Sequence, residues 1–430
     1  MVLTLLVSII TILLFILSSL FLPSIKIKKI TISTFWIIPL LGAITLLVTN
    51  QAPMEEVITS FTSSSAVNPI KILILFISMT FISIYLDEAG FFSYLALFFT
   101  KKFSSKQIYL FLCLYVLISI LTIFTSNDII ILTFTPFICY FCHKCKIDPL
   151  PYLISEFVAA NTYSCFLIIG NPTNIYLASY ENISFFSYFI NMAIPTLGCG
   201  LVSFIILFLL FRKKLSKSIE IDDKDEQINI DKISIGFGLF SLIGATLMLA
   251  ISSYINLPMY LISLGFALFL LIFSIIYSLI KKKDHVLPSL KRVPYNLIPF
   301  VLSMFIIVLA LSHTGISKEL ASFLNKFNTT YSYGIAGLIS ANLINNIPMA
   351  VLFSSLLDNV GIKAIYASIL ASNLAAFLTP IGALAGIMWT SLVKKYDVKM
   401  DYLTFIKYGA IISIPTLLVG LTIIELMPSF

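Results

Sequence analysis

The same polar interruption occurs twice in this chain, about half its length apart. Asn161 and Gly170 stand nine residues apart in AANTYSCFLIIGNPTN, and Asn373 and Gly382 repeat the spacing in ASNLAAFLTPIGALAG, 212 residues later. Ile194-Pro195-Thr196-Leu197 returns as Ile414-Pro415-Thr416-Leu417, with Gly200-Leu201 matching Gly420-Leu421, at an offset of 220. Asn127-Asp128 after one long apolar run answers Asn345-Asn346 after another, at an offset of 218. Three matches at nearly one offset mark a duplication. Duplicated halves with polar breaks in an apolar chain predict a transporter.

The membrane follows from composition. Hydrophobic residues make up 59% and charged residues 11%, and apolar runs of roughly 18 residues or more recur, each long enough to cross hydrocarbon. The first run, Val2 to Leu22, lacks a basic flank before it and a small-residue cleavage site after it, so it reads as a span and not as a signal peptide. The net charge of +7 reports topology here, and no nucleic-acid partner is expected. Lys and Arg cluster at Lys26 to Lys29, Lys101 to Lys106, Lys144 to Lys146, Arg212 to Lys232, Lys281 to Arg292 and Lys394 to Lys407. Setting these segments on the cytoplasmic side leaves only Lys71, Lys318, Lys326 and Lys363 outside, the bias that the positive-inside rule expects.

Spans are then expected over Val2 to Leu22, Ile32 to Val48 and Ile70 to Leu86. Phe91 to Phe99 is too short to cross and is expected along the inner surface. From Ile108 the chain rises, breaks at Ser126-Asn127-Asp128 and returns toward Lys144, a re-entrant hairpin with both ends on the basic side. Leu150 to Ala178 crosses with an interruption, and Phe186 to Phe211 crosses back. The second half repeats this upside down, with spans over Ile233 to Ser253, Leu257 to Ile280 and Leu297 to Leu311. A hairpin over Tyr331 to Leu357, an interrupted crossing over Ile365 to Val393 and a last span over Leu403 to Leu426 complete it. The expected fold is an all-α membrane protein of about ten crossings and two re-entrant hairpins in two inverted repeats, residues 1–211 and 233–430, joined by a cytoplasmic linker at 212–232, with both termini outside.

Backbone groups freed inside hydrocarbon must be buried in protein or line a wet cavity, so the breaks are where a solute can be held. Asn, Ser and Thr satisfy the freed backbone and still offer oxygens and amides. The expected site joins Ser126, Asn127, Asp128, Asn161, Thr162, Gly170, Asn171, Thr173 and Asn174 with Asn342, Asn345, Asn346, Asn373, Thr379 and Gly382. The bland alternative is that some of these only glue helices together. Asp128, which faces a neutral Asn346 by offset, and Glu156 are carboxylates within the membrane and candidates for proton coupling. Asp87 and Glu88 end a span beside Gly90 and read as structural.

Cys139, Cys142 and Cys145, with His143 among them, could in principle receive a soft metal or As(III). Cysteines on an apolar helix are more often small packing residues, so no metal site and no cofactor is expected. CYFCH matches a haem-attachment string, but on a segment read as helical and cytoplasmic. No H-E-x-x-H, Walker loop or G-x-S-x-G is present, which argues against an enzyme.

From about Ile70 onward the chain resembles a known family. ISIYLDEAGFFSYLALFFTKK, FTSNDIIILTFTPF, SANLINNIPM, LTPIGALAGIMWTSLVKK and YGAIISIPTLLVGL are similar to the arsenite permease (ArsB) branch of the ion transporter superfamily, which also holds NhaD-type sodium/proton antiporters and dicarboxylate carriers. IGNPTNIYLA, Ile169 to Ala178, looks closer to the antiporter and anion-permease members. The resemblance implies a scaffold-plus-transport architecture, often a homodimer, sometimes with a soluble ATPase partner, and carries hairpin function onto Asn127, Asp128, Asn345 and Asn346. The expected activity is proton-coupled efflux of arsenite or antimonite across the plasma membrane. A sodium/proton antiporter or an organic or inorganic anion permease is the alternative, and a channel or membrane-embedded enzyme the remote one.

Overall fold

The computed structural model describes the chain apart from residues 1, 23, 28–29, 64–67, 96–97, 99–105, 220–229, 253, 283, 358–359, 397 and 429–430. The expected loop lysines Lys28, Lys29, Lys101, Lys102, Lys224 and Lys283 and the middle of the expected linker lie outside those residues.

Among the described residues the fold is helical apart from one short antiparallel hairpin, Ser24–Ile27 against Ile30–Ser33, which the hydropathy pattern does not announce, and a single bridge between Lys106 and Ser218. The hairpin joins α1 (Val2–Phe21) to α2 (Ile37–Val48). Two short helices, α3 (Met54–Thr62) and α14 (Ile316–Leu324), were not expected from hydropathy, and α3 is tied to the end of the helix Leu297–Ser312 where His313 Nε2 meets Glu56 Oε2 at 2.8 Å.

The long helices fall into two groups. In the first, α4 (Pro69–Glu88) packs on α10 (Lys232–Ala250) and α11 (Met259–Lys281), while α13 (Leu297–Ser312) packs on α1 and α2. The third long helix of each half therefore docks on the first two of the other half. Leu3, Leu6, Leu13 and Leu17 of α1 and Phe240, Ile243 and Leu247 of α10 are exposed, which is what a helix facing lipid tails requires.

The second group carries the interruptions. A hairpin of α5 (Gln107–Phe124) and α6 (Asn127–Lys144) precedes a broken element: α7 (Leu150–Tyr163), a 3₁₀ turn at Ile168–Gly170 and α8 (Pro172–Tyr180). Then comes the long α9 (Phe185–Leu215). In the second half α15 (Thr329–Ile344) and α16 (Asn346–Ser354) form the hairpin. The broken element is α17 (Ile362–Leu374), turns at Ala375–Phe377 and Pro380–Gly382, and α18 (Leu384–Lys395), followed by α19 (Tyr402–Leu426). α9 packs along α19, α5 along α7 and α15 along α17. The element order of one half thus recurs in the other.

Among the described residues seven helices are long and apolar enough to cross a membrane, while Val2–Ser18, Ile37–Val48 and Ile362–Phe377 are apolar but shorter. α5, expected as one arm of a re-entrant hairpin, is among the seven, so length alone does not set it apart from a full crossing. Asp87 and Glu88, at the end of α4, take the two arms of Arg292 at 2.7 and 2.6 Å, fixing the short helix α12 (Val286–Arg292) against α4.

Candidate functional site

Each interruption begins a new helix, and polar side chains cap most of those starts. Ser126 Oγ accepts from the Ile129 amide at the start of α6, Asn171 Oδ1 from the Thr173 amide at the start of α8, and Asn345 Oδ1 from the Ile347 amide at the start of α16. Such caps satisfy donors that a helix beginning at membrane depth would otherwise leave bare. Asn345 has φ +75°, a left-handed conformation that Asn adopts more readily than other non-glycine residues. At α18 the capping position is Ala383, without a side-chain cap.

The amides are bonded in series across both halves. Asn127 donates its Nδ2 to Asn161 Oδ1 at 2.9 Å, joining the first hairpin tip to the first broken element. Ser164 Oγ and Asn171 Nδ2 both donate to Asn373 Oδ1, at 2.8 and 2.9 Å, and Asn373 Nδ2 donates to Asn174 Oδ1 at 2.7 Å. Thr173 Oγ1 lies 2.9 Å from Ser372 Oγ. Asn373 is therefore the hub between the two broken elements. Further along, Thr379 Oγ1 donates to Asn342 Oδ1 at 2.6 Å and Asn345 Nδ2 to the Ile381 carbonyl at 2.9 Å, joining the second hairpin tip to the second broken element.

Gly170 and Gly382 occupy matching turns. A Cβ at Gly170 would overlap the Ser164 carbonyl, and one at Gly382 would overlap the Ala375 carbonyl and crowd Asn342 Oδ1. Only glycine lets each turn fold back on the helix that precedes it.

Most of the expected site residues therefore meet, and the exceptions are informative. Thr162 Oγ1 and Asn346 Oδ1 are buried with no hydrogen-bond partner, and Asp128 is half-buried at the first turn of α6. Glu156 sits apart from the amides: fully buried, it accepts from Thr135 Oγ1 at 2.9 and 3.1 Å and from Trp389 Nε1 at 3.2 Å. Ser164, Ser372, Thr135 and Trp389 were not singled out from the sequence. Ser164 and Ser372 adjoin the repeated Asn positions, which is the signal that points to them. Cys139 and Cys142 are buried, and among the described residues no group of three His, Cys, Asp or Glu is placed to hold a metal ion.

Two clefts reach toward the interruptions. One, of about 450 Å³, lies between Lys71 of α4, Ser179 of α8, Asn256 in the turn before α11 and Tyr260 in its first turn. The other, of about 540 Å³, runs from Pro380 and Ile381 past Trp389 to Lys394, Asp401 and Tyr402.

Known proteins are similar to this chain over most of its length. The arsenical pump membrane protein of Escherichia coli K12 is 23% identical over 83% of this chain and 86% of its own length. The putative arsenical pump membrane protein of Bacillus subtilis is 25% identical over 79% and 84%. An uncharacterized transporter of Mycobacterium tuberculosis is 21% identical over 81% and 84%. Among solved structures, the Alcanivorax borkumensis YdaH transporter, described as having an unusual topology, superposes with a TM-score of 0.59 at 13% identity, covering 98% of this chain and 97% of that one. It shares the fold. Residues 12–366 match the family described as CitMHS, citrate transporter, and the chain belongs to that family of membrane transporters.

Proposed function

We propose that the protein is a proton-coupled secondary transporter that exports arsenite or antimonite as the neutral hydroxide by alternating access, a multi-pass protein of the plasma membrane with both termini outside. The observation that carries this reading is the chemistry of the bonded set. Asn127, Asn161, Ser164, Asn171, Thr173, Ser372, Asn373 and Asn174 are all neutral, and among the described residues no hydrogen bond joins a lysine or arginine to any of them. Amides and hydroxyls can both donate to and accept from the hydroxyls of an uncharged As(OH)₃. A polycarboxylate would need cations that this set lacks. Asp128 beside it is the proton-coupling group, and the two halves move as inverted copies around the shared hub.

A second reading, an anion permease, is favoured by the helix starts at Asn127, Pro172 and Asn346, whose partial positive charge suits an anion. Everted vesicles separate the two. An acid interior should drive arsenite uptake in the native protein, and Asp128→Asn should abolish that drive. Uptake of citrate or a dicarboxylate without arsenite uptake overturns the metalloid assignment.

A further inference from the structure

Glu156 is fully buried, and among the described residues no lysine, arginine or histidine pairs with it. Its donors are neutral and come from two other elements: Thr135 on α6 and the indole of Trp389 on α18. An unpaired carboxylate in such a place is costly to retain for packing alone. Trp389 is itself buried, packed tilted against Phe157 and edge-on to Phe405 at ring-centroid distances of 5.0 and 5.6 Å. It also forms part of the wall of the cleft of about 540 Å³. The indole thus stands between that cleft and the carboxyl.

We infer that Glu156 is a second proton-carrying site of the transporter, loaded from the Trp389 cleft, with Trp389 as the shutter over it. When the indole swings aside, a hydronium in the cleft gives up its proton to Oε2 and leaves as water. The neutral acid no longer needs the indole hydrogen. Thr135, the carboxyl's other donor, lies two helical turns along α6 from Asp128 and next to Pro136 inside that helix, so a change in its bond to Glu156 acts on the same element as the hairpin tip. Trp389 and Thr135 are positioning residues. Of the titratable neighbours, Cys139 lies on α6 one helical turn beyond Thr135. Lys394 of α18, with Asp401 and Tyr402 at the start of α19, lines the cleft. Tyr408 borders the apolar gap beside Phe157. This inference rests on the proton-coupled reading above, but it can be tested without any cargo.

The chain has two tryptophans, Trp36 and Trp389. Trp36→Phe removes a side chain whose Nε1 has no partner and leaves Trp389 as the sole reporter. Purified Trp36→Phe protein should show one step in tryptophan emission as pH is varied. The step should vanish in Trp36→Phe/Glu156→Gln and persist with a displaced midpoint in Trp36→Phe/Thr135→Val. An unchanged step in the Gln variant, or an unmoved midpoint in the Val variant, overturns the inference. In vesicles, Glu156→Gln should lose acid-driven arsenite uptake at least tenfold while arsenite-for-arsenite exchange continues, and full acid-driven uptake also overturns it. An emission step in a protein that moves no arsenite leaves the proton site standing and sinks only the choice of cargo.

Discussion

Asn373 is the residue on which the two broken elements depend, since its carbonyl oxygen serves Ser164 and Asn171 while its amide serves Asn174. Interhelical hydrogen bonds in bilayers average about 0.6 kcal/mol each, so Asn373→Ala should lower unfolding stability in mixed micelles by roughly 2 kcal/mol. Transport should fall much further than stability, because the alanine removes a ligand as well as a tie. Equal losses in both would assign Asn373 to packing alone. The two glycines allow a sharper comparison. Gly170→Ala meets a backbone carbonyl that cannot give way, while Gly236→Ala points into open space. The first should cost folded yield and transport, and the second should stay within about 0.5 kcal/mol of the parent on unfolding. Asn161, Asn373, Gly170 and Gly382 were legible because the chain states them twice. Thr135 and Trp389 were not, because a lone threonine on an apolar helix ordinarily bonds back to its own turn. Nothing along the chain says that Glu156 lies opposite.

Among the elements, the interruptions were legible and the peripheral pieces were not. Asn and Gly after an apolar run announce a helix that stops inside the membrane, and the caps at Ser126, Asn171 and Asn345 fall where those residues predicted. The hairpin Ser24–Ser33 was missed because only a few alternating residues separate two spans, and the expected second span began within it. α3 and α14 were missed because they are short and amphipathic, with no run of apolar residues to mark them. α12 owes its seat to a charge fork: Arg292 holds Asp87, whose side chain is 8% exposed, and Glu88. Arg292→Ala leaves a mostly buried carboxylate unpaired and should cost roughly 1–3 kcal/mol, less than a fully buried pair because the arginine itself is partly wet. Arg292→Lys should recover only part of this, since lysine offers no planar fork. Chemical denaturation of the purified variants measures both.

For the whole molecule, apolar composition and a half-length echo were enough to read a helical membrane transporter. How the halves interlock was not, because exchange of partners between them leaves no local mark. The basic bias predicts that the two clefts open to opposite faces. With Cys113, which is partly accessible, replaced by Ala, a cysteine at Asn256 should react with an impermeant thiol reagent only from the outside and one at Thr390 only from the inside. Labelling of both from one face would contradict the inverted arrangement. The exchange has a consequence for biogenesis. α4 ends at Glu88, yet its main helical neighbours α10 and α11 begin at Lys232. At about 5–20 residues per second, the ribosome takes on the order of ten seconds to deliver them. Through that interval α4 waits in the bilayer or at the insertion machinery with its docking face uncovered, and a fault in the middle of the gene is felt by a helix made well before it.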